Sequence, residues 1–315
     1  MTIINQLVRS RLRKINSILF VITLCSVSYS FSITTSVSGD LIYDTNIPQN
    51  ITEYAGFYGI PKTHISFENF ERFKPFSAWC GINYSNYLKQ RSPTLGKSFL
   101  FTGVALTFRP AFVVMKTKYS FSLYLYPTWE TARTRHRLDQ YIKFSFGSHH
   151  LIPRINLDVD DYGNNRYDGI DIDVSLEYRY RFRTLKRQNV TIRSASLQVE
   201  MLNDLADDTV VSYTEFSVSA KTELKFWQMT LDLTAEPALR KFKAKVPHPQ
   251  RNTLLKAENK YIRVAWNLDI PIWRGFSANT NAKLQLKDSN NPTYDYNRHT
   301  FAIGLTWKNK FPFGD

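Results

Sequence analysis

Asp158, Asp160, Asp171 and Asp173 fall in two short runs, and Glu177, Arg179, Arg181 and Arg183 continue the second at the same spacing of two. Carboxylates and guanidinium groups repeated in this way have two uses. Facing a channel, they set ion selectivity and a transverse field. Facing each other on adjacent strands, they pair and fill a closed interior, each pair worth roughly 0.2–1 kcal/mol. Both uses remain open from the sequence. The acids flank "GNNR", so an antiparallel hairpin of strands 151–162 and 167–183 would gather them at one end, with Arg154 approaching the Arg179, Arg181, Arg183 end. Lys283 and Lys287 recur at the same period later in the chain. The neighbouring "GSHHLIP" reads as a turn; on a strand, His149 and His150 would face opposite sides and could not share one metal ion. Ser148, His149 and His299 lack the elbow motif and spacing that a nucleophile, base and orienter require. No enzyme, metal site or cofactor is expected.

The element that positions these charges is a strand. From 170 to 182 every second residue is apolar or aromatic (Ile170, Ile172, Val174, Leu176, Tyr178, Tyr180 and Phe182), and the charged set lies between them. Period two places the sets on opposite faces, one suited to lipid and the other to a lumen. The pattern recurs in "SFLFTGVALTF", "KYSFSLYLYP", "LDQYIKFSF", "INLDVDDY", "WQMTLDLTAE" and "FSANTNAKLQLK", separated by Asp-, Asn-, Gly- and Pro-rich breakers. A mean hydropathy of −0.33 beside 40 Tyr and Phe residues suits strands that are half polar and half apolar. A soluble sandwich uses strands of about 5–8 residues around a shared apolar core. Long strands with charged faces instead predict an all-β fold, a closed antiparallel transmembrane β-barrel of about 14 strands (12–16), because closure satisfies every backbone group within lipid.

The N-terminus carries Arg9, Arg11, Arg13 and Lys14, the apolar run "ILFVITLC" and the small-residue stretch "SVSYS". These predict a signal peptide over 1–30 rather than a mitochondrial presequence, and one barrel domain over 31–315. Leu24 before Cys25 does not fit a lipobox, and Cys80 alone after residue 30 can form no internal disulfide. The net charge of +14 falls to about +10 without the leader. The basic residues are dispersed among acids, which argues against nucleic acid and for a charged lumen or anionic lipid headgroups.

The two ends of the mature chain carry a resemblance. "SGDLIYDTNI" (38–47) looks like the opening strand of a group of Gram-negative outer-membrane barrels, and "SNNPTYDYNRHTFAIGLTWKNKF" (289–311) looks like their closing hairpin. The chain resembles the C-terminal barrel of surface lipoprotein assembly modifiers, without room for their helical-repeat domain and with "KNKFPFGD" running past the usual terminal Phe. The expectation is thus a porin-like channel for small solutes or ions in the cell outer membrane. The resemblance implies as the alternative a translocation or assembly barrel that delivers lipoproteins or other cargo to the surface. Expected partners are outer-membrane lipid and lipopolysaccharide, the barrel-assembly machinery, and a periplasmic or lipoprotein cargo.

Overall fold

The computed structural model describes residues 31–47, 54–69, 76–85, 97–125, 131–162, 168–183, 190–206, 211–248, 251–290 and 296–313. The expected leader, 1–30, lies outside the described residues, as does the "GNNR" connection. Among the described residues fourteen strands follow one another. They are β1 (Phe31–Ile47), β2 (Tyr54–Asn69), β3 (Phe76–Ser85), β4 (Lys97–Phe108), β5 (Val113–Leu125), β6 (Thr131–Phe146) and β7 (His149–Asp161). The second half holds β8 (Gly169–Arg181), β9 (Val190–Ala206), β10 (Tyr213–Phe226), β11 (Met229–His248), β12 (Arg251–Trp273), β13 (Phe276–Ser289) and β14 (Tyr296–Phe313). Each strand pairs antiparallel with its sequence neighbours, and β14 returns to pair with β1, closing a barrel.

Local chemistry sets the connections. One end of the barrel carries three tight hairpins, β6–β7 through Gly147–Ser148, β10–β11 through Trp227–Gln228 and β12–β13 through Arg274–Gly275. The φ values of +62° at Gly147, +51° at Trp227, and +36° and +86° at Arg274 and Gly275 supply the left-handed backbone that two-residue hairpins require. The turn expected at His149–His150 therefore sits two residues earlier, because Gly147 takes the positive φ cheaply, and both histidines open β7. Trp227 likewise belongs to a turn rather than to the strand expected there. Two prolines lie inside strands where the ladder to one neighbour is interrupted. Pro153 falls in the gap of the β6–β7 register between Arg154 and Leu151, and Pro237 in the gap of β10–β11 between Ala238 and Ala235. Neither has an N–H to lose.

Burial is inverted relative to a soluble protein. Ser175, Glu177, Asp158, Asp160, Glu215 and Asn259 are buried, while Val174, Leu176, Leu197, Val199, Ile262 and Leu305 are exposed. In a closed barrel the concave side is where side chains crowd together, so the polar set forms the inner wall and the apolar set the outer one. The buried apolar residues are mostly small, among them Ala105, Ala257 and Ala302.

Candidate functional site: the charged inner wall

Cross-strand register assembles the inner wall. On β6, Arg133, Arg135 and Arg137 alternate inward, and β7 brings Asp160 opposite Arg135 and Asp158 opposite Arg137. Arg137 donates from Nε and Nη2 to the two oxygens of Asp158, at 2.6 and 2.5 Å. Arg135 donates to both oxygens of Asp160 at 2.9 and 3.1 Å, and Arg133 forks onto the same carboxylate with its Nε at 2.9 Å. The Arg133 guanidinium also lies 4.6 Å from the ring centroid of Tyr162. Planar guanidinium groups match carboxylates bidentately, so this ladder is fixed in geometry as well as in charge.

A second cluster lies on β10–β12. Glu215 accepts from Arg240 Nε at 2.6 Å and from Arg263 Nη1 at 2.7 Å, and Arg263 Nη1 also reaches Glu236 at 2.6 Å. Arg240 stacks on Tyr213 at 3.9 Å, and Arg263 lies 4.7 Å from the Tyr261 ring. Between the two clusters, β8 and β9 contribute Asp171, Asp173, Glu200 and Asp204, with Asp158, Asp171 and Asp204 in lateral succession. Asp173 accepts from Asn156 Nδ2 at 2.8 Å and Glu200 from Gln198 Nε2 at 2.7 Å. Among the described residues none of these four acids forms an ion pair within 4.0 Å. The wall thus holds two ion-paired clusters, one of three arginines on two aspartates and one of two arginines on two glutamates, flanking an acidic arc.

The residues singled out in the sequence distribute as follows. Asp158, Asp160, Asp171, Asp173, Glu177 and Arg179 share the inner side with buried Ser175, and Arg179 Nη2 lies 2.8 Å from Glu177. Arg154 stands opposite Ser175 and 3.9 Å from Asp139, while the residue facing Arg179 is His150. Arg154 thus lies on the arginine side of the acids but four residues short of Arg179 along the ladder. The register is the one that strands 151–162 and 167–183 imply around "GNNR", and it leaves His149 and His150, which open β7, to face Tyr180 and Arg179. Arg181 closes β8, and Phe182 and Arg183 lie beyond it, exposed. Lys283 and Lys287 sit on β13 opposite Ala265 and Tyr261. On the outer side are Val174, Leu176, Tyr178 and Phe182, all exposed, with Ile170, Ile172 and Tyr180 half-buried in the same alternation.

His149 and His150 face opposite sides. His149 Nδ1 contacts the Tyr178 hydroxyl at 2.6 Å on the outer wall, and His150 Nδ1 contacts Ser145 Oγ at 3.1 Å inside. His299 lies near the start of β14, opposite Leu284, at the other end of the barrel from Ser148. Among the described residues no group of three or more His, Cys, Asp or Glu is placed to hold a metal ion. Arg133, Arg135, Arg137, Glu215, Arg240 and Arg263 were not singled out from the sequence, although the alternating arginines of "RTRHR" are a visible sign of an inward ladder.

No family model and no curated protein matches the sequence. Solved structures similar in architecture include OccAB3 of Acinetobacter baumannii, at 8% identity and TM-score 0.47, over 89% of this chain and 99% of that one. OmpT of Vibrio cholerae is similar at 7% identity and TM-score 0.49, over 90% and 100%. An anion-selective porin from Comamonas acidovorans is similar at 7% identity and TM-score 0.47, over 89% and 99%. With so little identity and such TM-scores, these likenesses say nothing about what passes through or binds to this barrel.

Proposed function

We propose that the chain is a membrane-spanning β-barrel of the Gram-negative outer membrane, whose ion-paired inner wall lines a channel for small solutes or ions. One observation carries the reading: polar and charged groups are inside, and an apolar band is exposed outside. On β10 the outward residues run from Phe216 to Phe226, with polar Thr214 beyond one end and the turn residue Trp227, 68% exposed, at the other. Ten steps of about 3.3 Å, tilted by roughly 40°, span about 25 Å, the height of the apolar band of an outer-membrane barrel. The outward run of β12 from Ile262 to Ile272 has the same length, between Lys260 and Arg274. Exposed aromatics gather at the tight-turn end, where Phe108, Phe112, Phe146, Trp273 and Phe276 join Trp227 in the manner of an interfacial girdle. Short turns in such barrels face the periplasm, which orients the chain.

The test is reconstitution. Purified protein with heat-modifiable gel mobility should give discrete conductance steps in a planar bilayer. A folded barrel without conductance overturns the channel, and a soluble periplasmic fraction overturns the membrane reading itself. The alternative implied by the resemblance, cargo delivery, gains no support from the seam. The β1–β14 register runs without irregularity from Phe31↔Phe313 to Asp44↔Thr300. Loss of one specific surface lipoprotein on deletion would restore that alternative.

A further inference from the structure

The β11–β12 hairpin outgrows its neighbours. The β10 ladder on β11 ends at Tyr213↔Phe242, and the β13 ladder on β12 ends at Asn259↔Ser289. Beyond those pairs the two strands continue together to His248↔Arg251. Asn290 joins this extension at its base, its Oδ1 accepting from the Glu258 N–H at 2.9 Å. At the root of the extension Lys241 pairs with Glu258, and past a bulge Lys245 stands directly opposite Lys256. Residues directly opposed in an antiparallel pair share a face, as do residues two apart, so Lys241, Lys245, Lys256, Glu258 and Lys260 all lie on one side. It is the outer side, because exposed Ile262, Val264 and Trp266 continue the alternation from Lys260.

Two features of this patch call for an anion. Like charges directly opposed across a strand pair repel, yet Lys245 and Lys256 are both exposed with no acid opposite either. Four lysines share Glu258, whose carboxylate lies 3.5 Å from Lys241, and Asp288, which stands opposite Lys260. Lysines also protect free strand edges from aggregation, but that role does not require two of them to oppose each other within one hairpin. The position of the patch names the anion. It begins one alternation beyond the apolar band, at the level where a bilayer places its headgroups.

We propose that Lys241, Lys245, Lys256 and Lys260 form a ledge on the outer wall that docks the phosphate of a membrane-lipid headgroup, in the leaflet facing away from the tight turns. The proposal rests on the membrane-spanning reading above. A phosphate between Lys245 and Lys256 relieves their repulsion and ties the projecting hairpin to the surface.

The experiment refolds the protein into phosphatidylcholine vesicles containing phosphatidylglycerol and counts phosphatidylglycerol retained after detergent extraction, by native mass spectrometry. Wild type should retain it, and Lys245→Gln/Lys256→Gln should reduce retention on the order of tenfold. The inner-wall control Lys221→Gln/Lys225→Gln, equal in charge change, should retain it as wild type does. Lys245→Glu serves as the second variant: it converts the repulsive pair into an attractive one, so the hairpin folds at least as well while retention falls. Retention unchanged in either ledge variant, or lost equally in the control, overturns the ledge. Displacement of the lipid by millimolar inorganic phosphate would show a free-anion site and overturn the lipid assignment. A wild-type chain that never inserts sinks the membrane reading itself, whereas an inserted chain that retains no phosphatidylglycerol sinks only the ledge.

Discussion

Asp40 on β1 and Gly304 on β14 stand directly opposite each other in the seam that closes the barrel, and the Asp40 carboxylate occupies the space a side chain at 304 would need. A Cβ built on Gly304 would collide with Asp40 Oδ1 and lie 2.7 Å from Asn279 Oδ1. Gly304→Ala should therefore displace both polar side chains and cost about 1–3 kcal/mol. Paired with Asp40→Ala, the same substitution should cost much less. Urea unfolding of the four proteins of this cycle in vesicles measures the coupling, and strictly additive losses would show that the seam is not packed this way.

Val174 is 48% exposed and Ser175 is 6% exposed, one residue apart on β8. With the apolar wall against lipid, Val174→Arg should destabilise the folded barrel by about 2–4 kcal/mol near the bilayer midplane, and Ser175→Ala by well under 1 kcal/mol. Folding equilibria in vesicles give both numbers. A reversed order of sensitivity would mean that the apolar face does not meet lipid.

What was legible in the sequence follows from this alternation. β8 shows its two faces clearly because all its outward residues between 170 and 182 are apolar while those between are polar. The inward ladder of β6 escaped notice because the residues between its arginines, Thr134 and His136, are polar too, so charge and burial do not separate by inspection. The Glu215 cluster was invisible for another reason. Its members come from three strands, and only the register puts Arg240 opposite Glu215 and Arg263 opposite Glu236. The two terminal stretches that carried the family resemblance prove to be partners, with Ser38 opposite Thr306 and Tyr43 opposite Phe301.

Asp160 holds two arginines, so its neutralisation should be felt more than that of any single guanidinium. Asp160→Asn leaves Arg133 without its carboxylate and Arg135 with only Asp158, 3.9 Å away. Breaking a fully buried pair costs about 3–5 kcal/mol. These arginines are 19% and 23% exposed to a wet interior, which reduces the expected loss to about 1–3 kcal/mol. Asp173→Asn, whose carboxylate only accepts from Asn156, should cost less than ~1 kcal/mol. Urea midpoints at constant slope distinguish the two, and equal losses would show that the ladder is not a stabilising element.

The acidic arc predicts the sign of ion selectivity if the barrel conducts. Asp171 and Asp204 are laterally adjacent on β8 and β9, between clusters whose charges are already paired. Their negative field is unpaired within this arc, so a conduction path along β8 and β9 should favour cations. Asp171→Asn/Asp204→Asn should move the reversal potential in a KCl gradient toward that of an anion-preferring pore. The shift should be larger near 0.1 M than near 1 M salt, because screening shortens from about 10 Å to about 3 Å between them. A salt-independent shift would indicate a change in pore shape rather than field, and an unchanged reversal potential would place the conduction path away from β8 and β9.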